Sequence, residues 1–332
     1  MSHPRFDVVG LGNAIVDVIS AQDDAFLERW GIAKDAMNLI EAERADALTE
    51  VSVDAVVTSG GSGANTIAGI ASLGGNAAYI GKVADDDLGA AFRKGMVEAG
   101  VPFETAPLIG GAATARSIIF VTPDGHRSMN TYLGASVDFS PQDVDTQMVR
   151  DAGILYLEGY LFDKELAKTA FVHAAETAHA AGRKVSLTLS DRFCVDRHRD
   201  SFRHLIRSQI DILLANEDEL LSLYETSDFD TAVDLLRQDT ALAAVTRSEK
   251  GSVIIGQGDL LHIPAEKVET VVDTTGAGDQ YAAGFLLGLA RALPLATCAH
   301  LGHIAAAEVI SHYGPRPETS LKTLAGQAGI RF

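Results

Sequence analysis

Residues 271–279, Val-Val-Asp-Thr-Thr-Gly-Ala-Gly-Asp, run without a break into a helical pattern. Ala282, Phe285, Leu286 and Leu289 share one face there at i, i+3, i+4, i+7 spacing. A turn of small residues thus opens directly onto a helix N-terminus. The first N–H groups of a helix lack internal partners, and the axis dipole adds partial positive charge. Glycine lets the backbone come close to a bound group, so the amides of Gly276, Ala277 and Gly278 suit an anion such as phosphate. Asp279 is the odd residue. A carboxylate in an anion-attracting turn has a use if it takes the proton of an attacking hydroxyl. Taken alone, the same residues also describe a strand-to-helix connection with Asp as a cap.

Short apolar runs and helical stretches alternate along the chain. The runs 6–12, 77–81, 154–157, 185–189, 212–215 and 243–246 read as strands. Helices are predicted at 65–73, 88–99, 166–181, 202–208 and 231–238, with Gly100 a C-cap for the second. This rhythm predicts a mainly parallel sheet covered by helices on both faces. Two regions break it, 14–45 and 105–130. In the second, 113–121 and 127–132 read as a hairpin around Pro123-Asp124-Gly125-His126. Extra strands in an α/β chain need somewhere to pack, and a small lid beside the strand C-termini is the natural place. The expected division is a large α/β domain of residues 1–13, 46–104 and 131–332, and a small lid of residues 14–45 and 105–130.

The formal net charge of −18 argues against nucleic acid or an anionic membrane as the main partner. Any nucleotide site must therefore be locally favourable within an unfavourable overall field. Two cysteines, Cys194 and Cys298, without metal-ligand spacing suggest a reducing compartment. The first residues carry no apolar signal region, and the most apolar stretch, 281–290, is too short to span a bilayer. A cytoplasmic protein is expected.

Two nucleotide signatures are excluded. Gly10-Leu11-Gly12-Asn13-Ala14-Ile15 starts like a dinucleotide fingerprint, but Ile15 stands where the third glycine belongs. Gly81-Lys82 is followed by Val83 rather than a hydroxyl residue, so there is no P-loop. Three further segments carry polar groups at strand ends. Ser59-Gly60-Gly61-Ser62-Gly63-Ala64-Asn65-Thr66 is a close-approach turn with an amide that suits a polyol, or a turn capped by Asn65. Asp17, after the first strand, is placed to grip neighbouring hydroxyls, or is an exposed loop acid. Asn216-Glu217-Asp218-Glu219 offers oxygen ligands suited to Mg²⁺ through water, or a helix start whose acids complement the dipole.

Together these segments resemble the ribokinase-like (PfkB) carbohydrate and nucleoside kinases, over roughly residues 6–318. Residues 273–279 resemble the family's C-terminal signature and residues 60–65 its N-terminal glycine signature. Residues 81–89 and Asn216-x-x-Glu219 match further family segments. Residues 10–17, the stretch from Phe26-Leu27, Arg127-Ser128 and Leu133-Gly134-Ala135 are similar to adenosine kinases. Asp191-Arg192 and Arg247 depart from the family pattern by their charge.

The resemblance implies a three-layer α/β/α fold with a small β-strand lid, and transfer of the ATP γ-phosphoryl group to a primary hydroxyl. Asp279 would be the base, with the Gly276–Asp279 amides as the anion hole. Asn13, Asp17, Gly60, Gly61, Asn65 and Arg127 would hold the acceptor. Asn216, Thr246, Arg247, Gly251, Thr275 and Gly278 would hold the nucleotide. Asn216 and Glu219 would position Mg²⁺ through water, and a monovalent cation such as K⁺ would sit near Asp273 and Thr275. The acceptor is expected to be an adenosine-like nucleoside, its base held by Ile15, Phe26, Leu27 or Met37. A ribose, fructose or sugar-acid kinase is the alternative, and a nucleotide-binding regulator without turnover a third reading. The implied assembly is a monomer, or a homodimer through the lid.

Overall fold

The computed structural model describes residues 4–256 and 258–331. Among them, thirteen strands build two sheets. In chain order the first seven are β1 (Phe6–Leu11), β2 (Ile15–Ala21), β3 (Met37–Leu39), β4 (Val56–Gly60), β5 (Ala77–Ile80), β6 (Ala115–Val121) and β7 (Arg127–Tyr132). The others are β8 (Ala152–Glu158), β9 (Lys184–Thr188), β10 (Ile212–Asn216), β11 (Leu242–Thr246), β12 (Ser252–Gly256) and β13 (Asp259–Ile263).

The large sheet has the order β13-β12-β11-β10-β9-β8-β1-β5. Its strands are parallel from β5 to β11, and β12 and β13 are antiparallel additions at one edge. Successive residues of one strand enter opposite cores, as the two-residue period of a strand requires. Val9, Leu155 and Leu213 face the helices Glu165–Ala180 and Arg192–Gln209. Val8, Ile154 and Leu214 face Ser62–Ser72, Ala277–Ala290 and Leu295–Val309. Burial on both faces explains why these strands read as unbroken apolar runs. This is the expected three-layer α/β/α fold. No helix among the described residues is long and apolar enough to cross a membrane.

The small sheet has the order β3-β7-β6-β2-β4. Ile118 and Phe120 of β6 point to its outer face, where Leu27, Ala45 and Leu48 cover them. Residues one step along each strand, Ile15, Asp17, Ser117, Ile119, Arg127 and Met129, line the cleft beneath. The division expected from sequence differs from this arrangement at 45/46. Strand β4, which falls after that boundary, pairs with β2, and the helix Ala42–Glu50, which the boundary cuts, packs on the small sheet. Residues 56–60 carry no local mark of which sheet they join; pairing with β2 decides it.

Candidate active site

One cleft of about 1480 Å³ runs between the sheets and along the C-terminal ends of β8–β11. At its centre the chain reaches Gly276 with φ of +81°, the left-handed region that favours glycine, and then enters the helix Ala277–Ala290. A Cβ on Gly276 would lie 2.7 Å from the Cα and carbonyl oxygen of Pro315, so close backbone approach also requires glycine here. Gly278 differs. A Cβ there would meet nothing within 4 Å, because this residue borders the open cleft.

Asp279 stands in the first turn of that helix and lines the cleft. Ser62 Oγ donates to its Oδ1 at 2.6 Å and Asn65 Nδ2 to its Oδ2 at 3.3 Å. Burial pushes its pKa up to about 6 against the pull of these bonds, with the Asp17 charge adding to the rise. Asp17 is likewise raised to about 6 by burial, with Arg127 and Arg316 opposing. Asp17 projects from β2 of the small sheet rather than from the edge of the large one.

The glycine turn divides into separate tasks. Gly61, at φ +91°, lets its backbone come within reach of the Asn13 carbonyl; a Cβ would stand 2.7 Å from that oxygen. Gly60 does not line the cleft. It leaves room for the Asp17 carboxylate, whose Oδ2 would be 2.3 Å from a Cβ. Asn13 Nδ2 donates to Glu158 Oε1 at 3.1 Å, and the Gly63 amide donates to Glu158 Oε2 at 2.8 Å. Glu158, raised to about 7 by burial, ties β8 to both turns.

Toward the other end the cleft is lined by Asn216, Glu219, Thr246, Gly251, Thr275 and the 264–268 segment. Arg247 does not line it. Its Nη2 is 2.8 Å from Glu217 Oε1 and its Cζ lies 3.8 Å over the Phe229 ring, both outside the cleft. Phe26 and Leu27, expected against a base, instead pack on the outer face of the small sheet, Phe26 with its ring centroid 5.0 Å from that of Phe120. Ile15 and Met37 do face the cleft, with Leu39, Ile119, Met129 and Leu133.

Residues 26–322 match the pfkB family of carbohydrate kinases. The chain belongs to that family. Members transfer phosphoryl from ATP to a hydroxyl, and this pfkB chain is such an ATP-dependent phosphotransferase. It is 54% identical to the adenosine kinase from Sinorhizobium meliloti, with a TM-score of 0.90 over 98% of this chain and 99% of that one. It is 51% identical to a probable sugar kinase from Rhizobium etli CFN 42, with a TM-score of 0.91 over the same shares. An ATP-dependent ribose-1-phosphate kinase from Halopiger xanaduensis is 32% identical over 254 residues, 73% of this chain and 79% of that protein. Probable fructokinase-6 from Arabidopsis thaliana is 31% identical over 244 residues, 71% of this chain and 63% of that protein.

Two groups that membership implies can be tested against the residues present. ATP fits. The buried Arg127 guanidinium borders the cleft with Nε and Nη2 unpartnered, and the cradle at Gly278 is open. Magnesium fits only as a companion of the phosphates, since no group of three acidic, His or Cys side chains among the described residues is placed to hold a metal ion by itself. Asn216 and Glu219 form a reciprocal helix cap, with Asn216 N and Nδ2 donating to the carboxylate at 3.0 and 2.7 Å. Glu219, raised to about 7 by burial, still lines the cleft and can hold a metal-bound water.

A monovalent cation at Asp273 does not fit. Oδ1 accepts from Thr275 N at 2.9 Å and Thr275 Oγ1 at 2.6 Å; Oδ2 accepts from Arg127 Nη1 at 2.9 Å and Gly314 N at 3.0 Å. Burial raises the Asp273 pKa, but these bonds and the Arg127 charge outweigh it and hold the group low. The cationic partner of Asp273 is the lid's own guanidinium.

Ser62, Glu158 and Arg316 were not singled out from sequence. Ser62 lies within the glycine turn as a hydroxyl at a helix start. Glu158 closes an apolar strand, the same signal that marked Asn216. Arg316, between two prolines, carries no local signal.

Proposed function

We propose that this kinase phosphorylates the primary hydroxyl of an adenosine-like nucleoside. The carrying observation is the make-up of the acceptor end. Asp17 and Asn13 offer a carboxylate and an amide for vicinal hydroxyls, beside a wall of Ile15, Met37, Leu39, Ile119 and Met129. Met37 and Leu39 are 42% and 47% exposed, an apolar surface left open to a flat base. The identity to the Sinorhizobium meliloti adenosine kinase supports the same reading. A sugar acceptor is favoured instead by the Rhizobium etli and fructokinase relatives.

In the proposed reaction the acceptor hydroxyl sits against Asp279, with the γ-phosphate over the Gly276–Gly278 turn. The oxygen attacks phosphorus as Asp279 takes its proton, and ADP leaves with the electron pair of the broken P–O bond. Ser62 and Asn65 hold the carboxylate in one orientation. The amides of residues 276–279 hold the charge that grows on the transferred group. Asn216 and Glu219 would hold magnesium through water, and bound with ATP it would neutralise the phosphate oxygens. Arg127 closes the lid over the phosphates, excluding water that would compete as acceptor.

A coupled ADP-release assay over nucleosides and free sugars tests this. Turnover with adenosine and little with ribose or fructose is expected; the reverse selects the sugar reading. Asp279→Asn is expected to keep nucleotide binding and lose turnover by several orders of magnitude. Near-normal turnover would remove Asp279 as base.

A further inference from the structure

Asp279 does not stand alone in its pocket. Asp17 from β2 and Glu158 from β8 bring two more carboxylates, and Tyr79, Tyr156 and Tyr160 face it as neutral groups. Arg316 is the cation whose field reaches both Asp17 and Asp279; Arg127 acts on Asp17 as well, and more strongly there. It does not line the cleft. Its Nε donates to Asn65 Oδ1 at 3.1 Å, and its Nη1 to Ser59 Oγ at 2.7 Å.

The polarity of this chain of bonds has one solution. A guanidinium only donates and an ionised carboxylate only accepts. Asn65, placed between them, must turn its oxygen to Arg316 and its NH₂ to Asp279. The backbone is braced to match. Gln280 Nε2 donates to both the Asn65 carbonyl at 3.1 Å and the Pro315 carbonyl at 2.9 Å, so residues 65 and 315 are registered by one side chain.

We infer that Arg316 is a positioning residue for phosphoryl transfer: it locks the Asn65 amide toward Asp279 and supplies the positive charge that lets Asp17 and Asp279 carry charge in one pocket. The inference rests on Asp279 as base and goes beyond that assignment. A residue that merely braces the loop would lower activity equally at every pH. Arg316 acts instead on the ionised form of the base, so its loss is read in the pH profile.

The experiment compares kcat and KM from pH 5 to 9 for wild type, Arg316→Met, Arg316→Lys and Arg316→Met/Asp17→Asn, with thermal melts alongside. Arg316→Met is expected to move the acid limb of kcat up by about one pH unit, the low end of a nearby opposite charge's effect. ATP KM should change less than twofold. Arg316→Lys keeps the charge, so its limb should stay with wild type while kcat falls because the amide lock is lost. Removing Asp17 from the Met variant should return the limb. A limb unmoved in Arg316→Met overturns the inference, as does one displaced equally in Arg316→Lys. If the Met variant does not fold, Arg316→Gln, which also removes the charge, is read in its place: a displaced limb supports the inference and an unmoved one overturns it. Asp279→Asn separates the two assignments: retained turnover sinks both, whereas lost turnover with an unmoved Arg316→Met limb sinks only the positioning role.

Discussion

Gly278→Ala should make the protein slightly more stable and much less active. The added Cβ meets no atom within 4 Å, so the fold has nothing to rearrange. The residue lies in the first turn of the helix Ala277–Ala290, where Ala is favoured over Gly by up to about 1 kcal/mol. The space the methyl takes is the space over the turn, where a phosphoryl oxygen must come to about 2.9 Å from an amide nitrogen. Displacing the transferred group from one such donor costs about 3 kcal/mol of barrier, roughly a hundredfold in kcat. Gly276→Ala provides the contrast. Its φ of +81° disfavours an L side chain by about 1–2 kcal/mol. Contact with Pro315 adds overpacking of about 1–3 kcal/mol. For a chain this large that is a fall of about 3–7 °C in Tm.

The assay is steady-state phosphorylation of the best acceptor at saturating ATP, with a thermal melt on the same samples. Gly278→Ala with wild-type kcat would mean that the Gly278 amide does not face the transferred group. Gly278→Ala melting as low as Gly276→Ala would mean that this glycine serves packing instead. Either result refutes the argument.

Activity and apo-protein stability should move in opposite directions between pH 5 and 7. Asp279 must be ionised to act, so kcat/KM should fall below about pH 6, steeply because Asp17 titrates in the same range. Both groups, with Glu158 and Glu219, are raised above their unfolded values, so their stability contribution is present at low pH and lost as pH rises through 6–7. His303, lowered to about 4 by burial, opposes this, its contribution being lost as pH falls, but it is one group against four. Thermal melts that rise from pH 5.5 to 8 would contradict the balance. Replacing K⁺ with Na⁺ or a large organic cation should leave kcat within twofold, since Asp273 is already saturated by Arg127, Thr275 and Gly314; strict K⁺ dependence would refute that. Arg247→Met should leave ATP KM unchanged and cost stability, through its lost contacts with Glu217 and Phe229; a tenfold rise in KM would place the guanidinium at the phosphates after all.

What was legible in the sequence is local. The turn at 273–279 announces itself because its glycines, its carboxylate and its helix are contiguous, and the alternation of apolar runs gives the parallel sheet for the same reason. Adjacency fails where direction matters. Arg247 follows Thr246 on a strand end, and the next residue along a strand points the other way. Phe26 and Leu27 lie in the lid segment, but the helix Asp24–Arg29 turns them onto the face away from the cleft. The span Arg192–Gln209 is two helical stretches meeting at a kink at His198; the predicted 202 falls in the second, and Arg, His and Asp hide the apolar stripe of the first. Asn216-x-x-Glu219 had a second reading as a helix start, and the reciprocal cap realises that reading while keeping Glu219 at the cleft.

The charge balance explains why the least legible residues matter. A chain of net charge −18 repels a polyanionic nucleotide at long range, and its pocket adds Asp17, Glu158, Glu219 and Asp279 at short range. Those acids cannot be removed if they are to grip hydroxyls and accept a proton. Positive character must therefore be delivered at fixed points; besides Arg197, Lys250 and Lys267 on the cleft wall, three adjoin the active-site turns: the N-terminus of the helix Ala277–Ala290, Arg127 and Arg316. The helix end is contiguous with the base and is read directly from the sequence. The two arginines are 146 and 37 residues from Asp273 and Asp279 respectively, and only folding brings them there. Each is held by an oxygen of the active-site turns, Arg127 by Asp273 and Arg316 by Asn65. Lid closure and the state of the base thus depend on two cations remote in sequence, Arg127, which the resemblance marks, and Arg316, which no local motif encodes, and a substitution at either should disturb the chemistry without touching the glycine signatures.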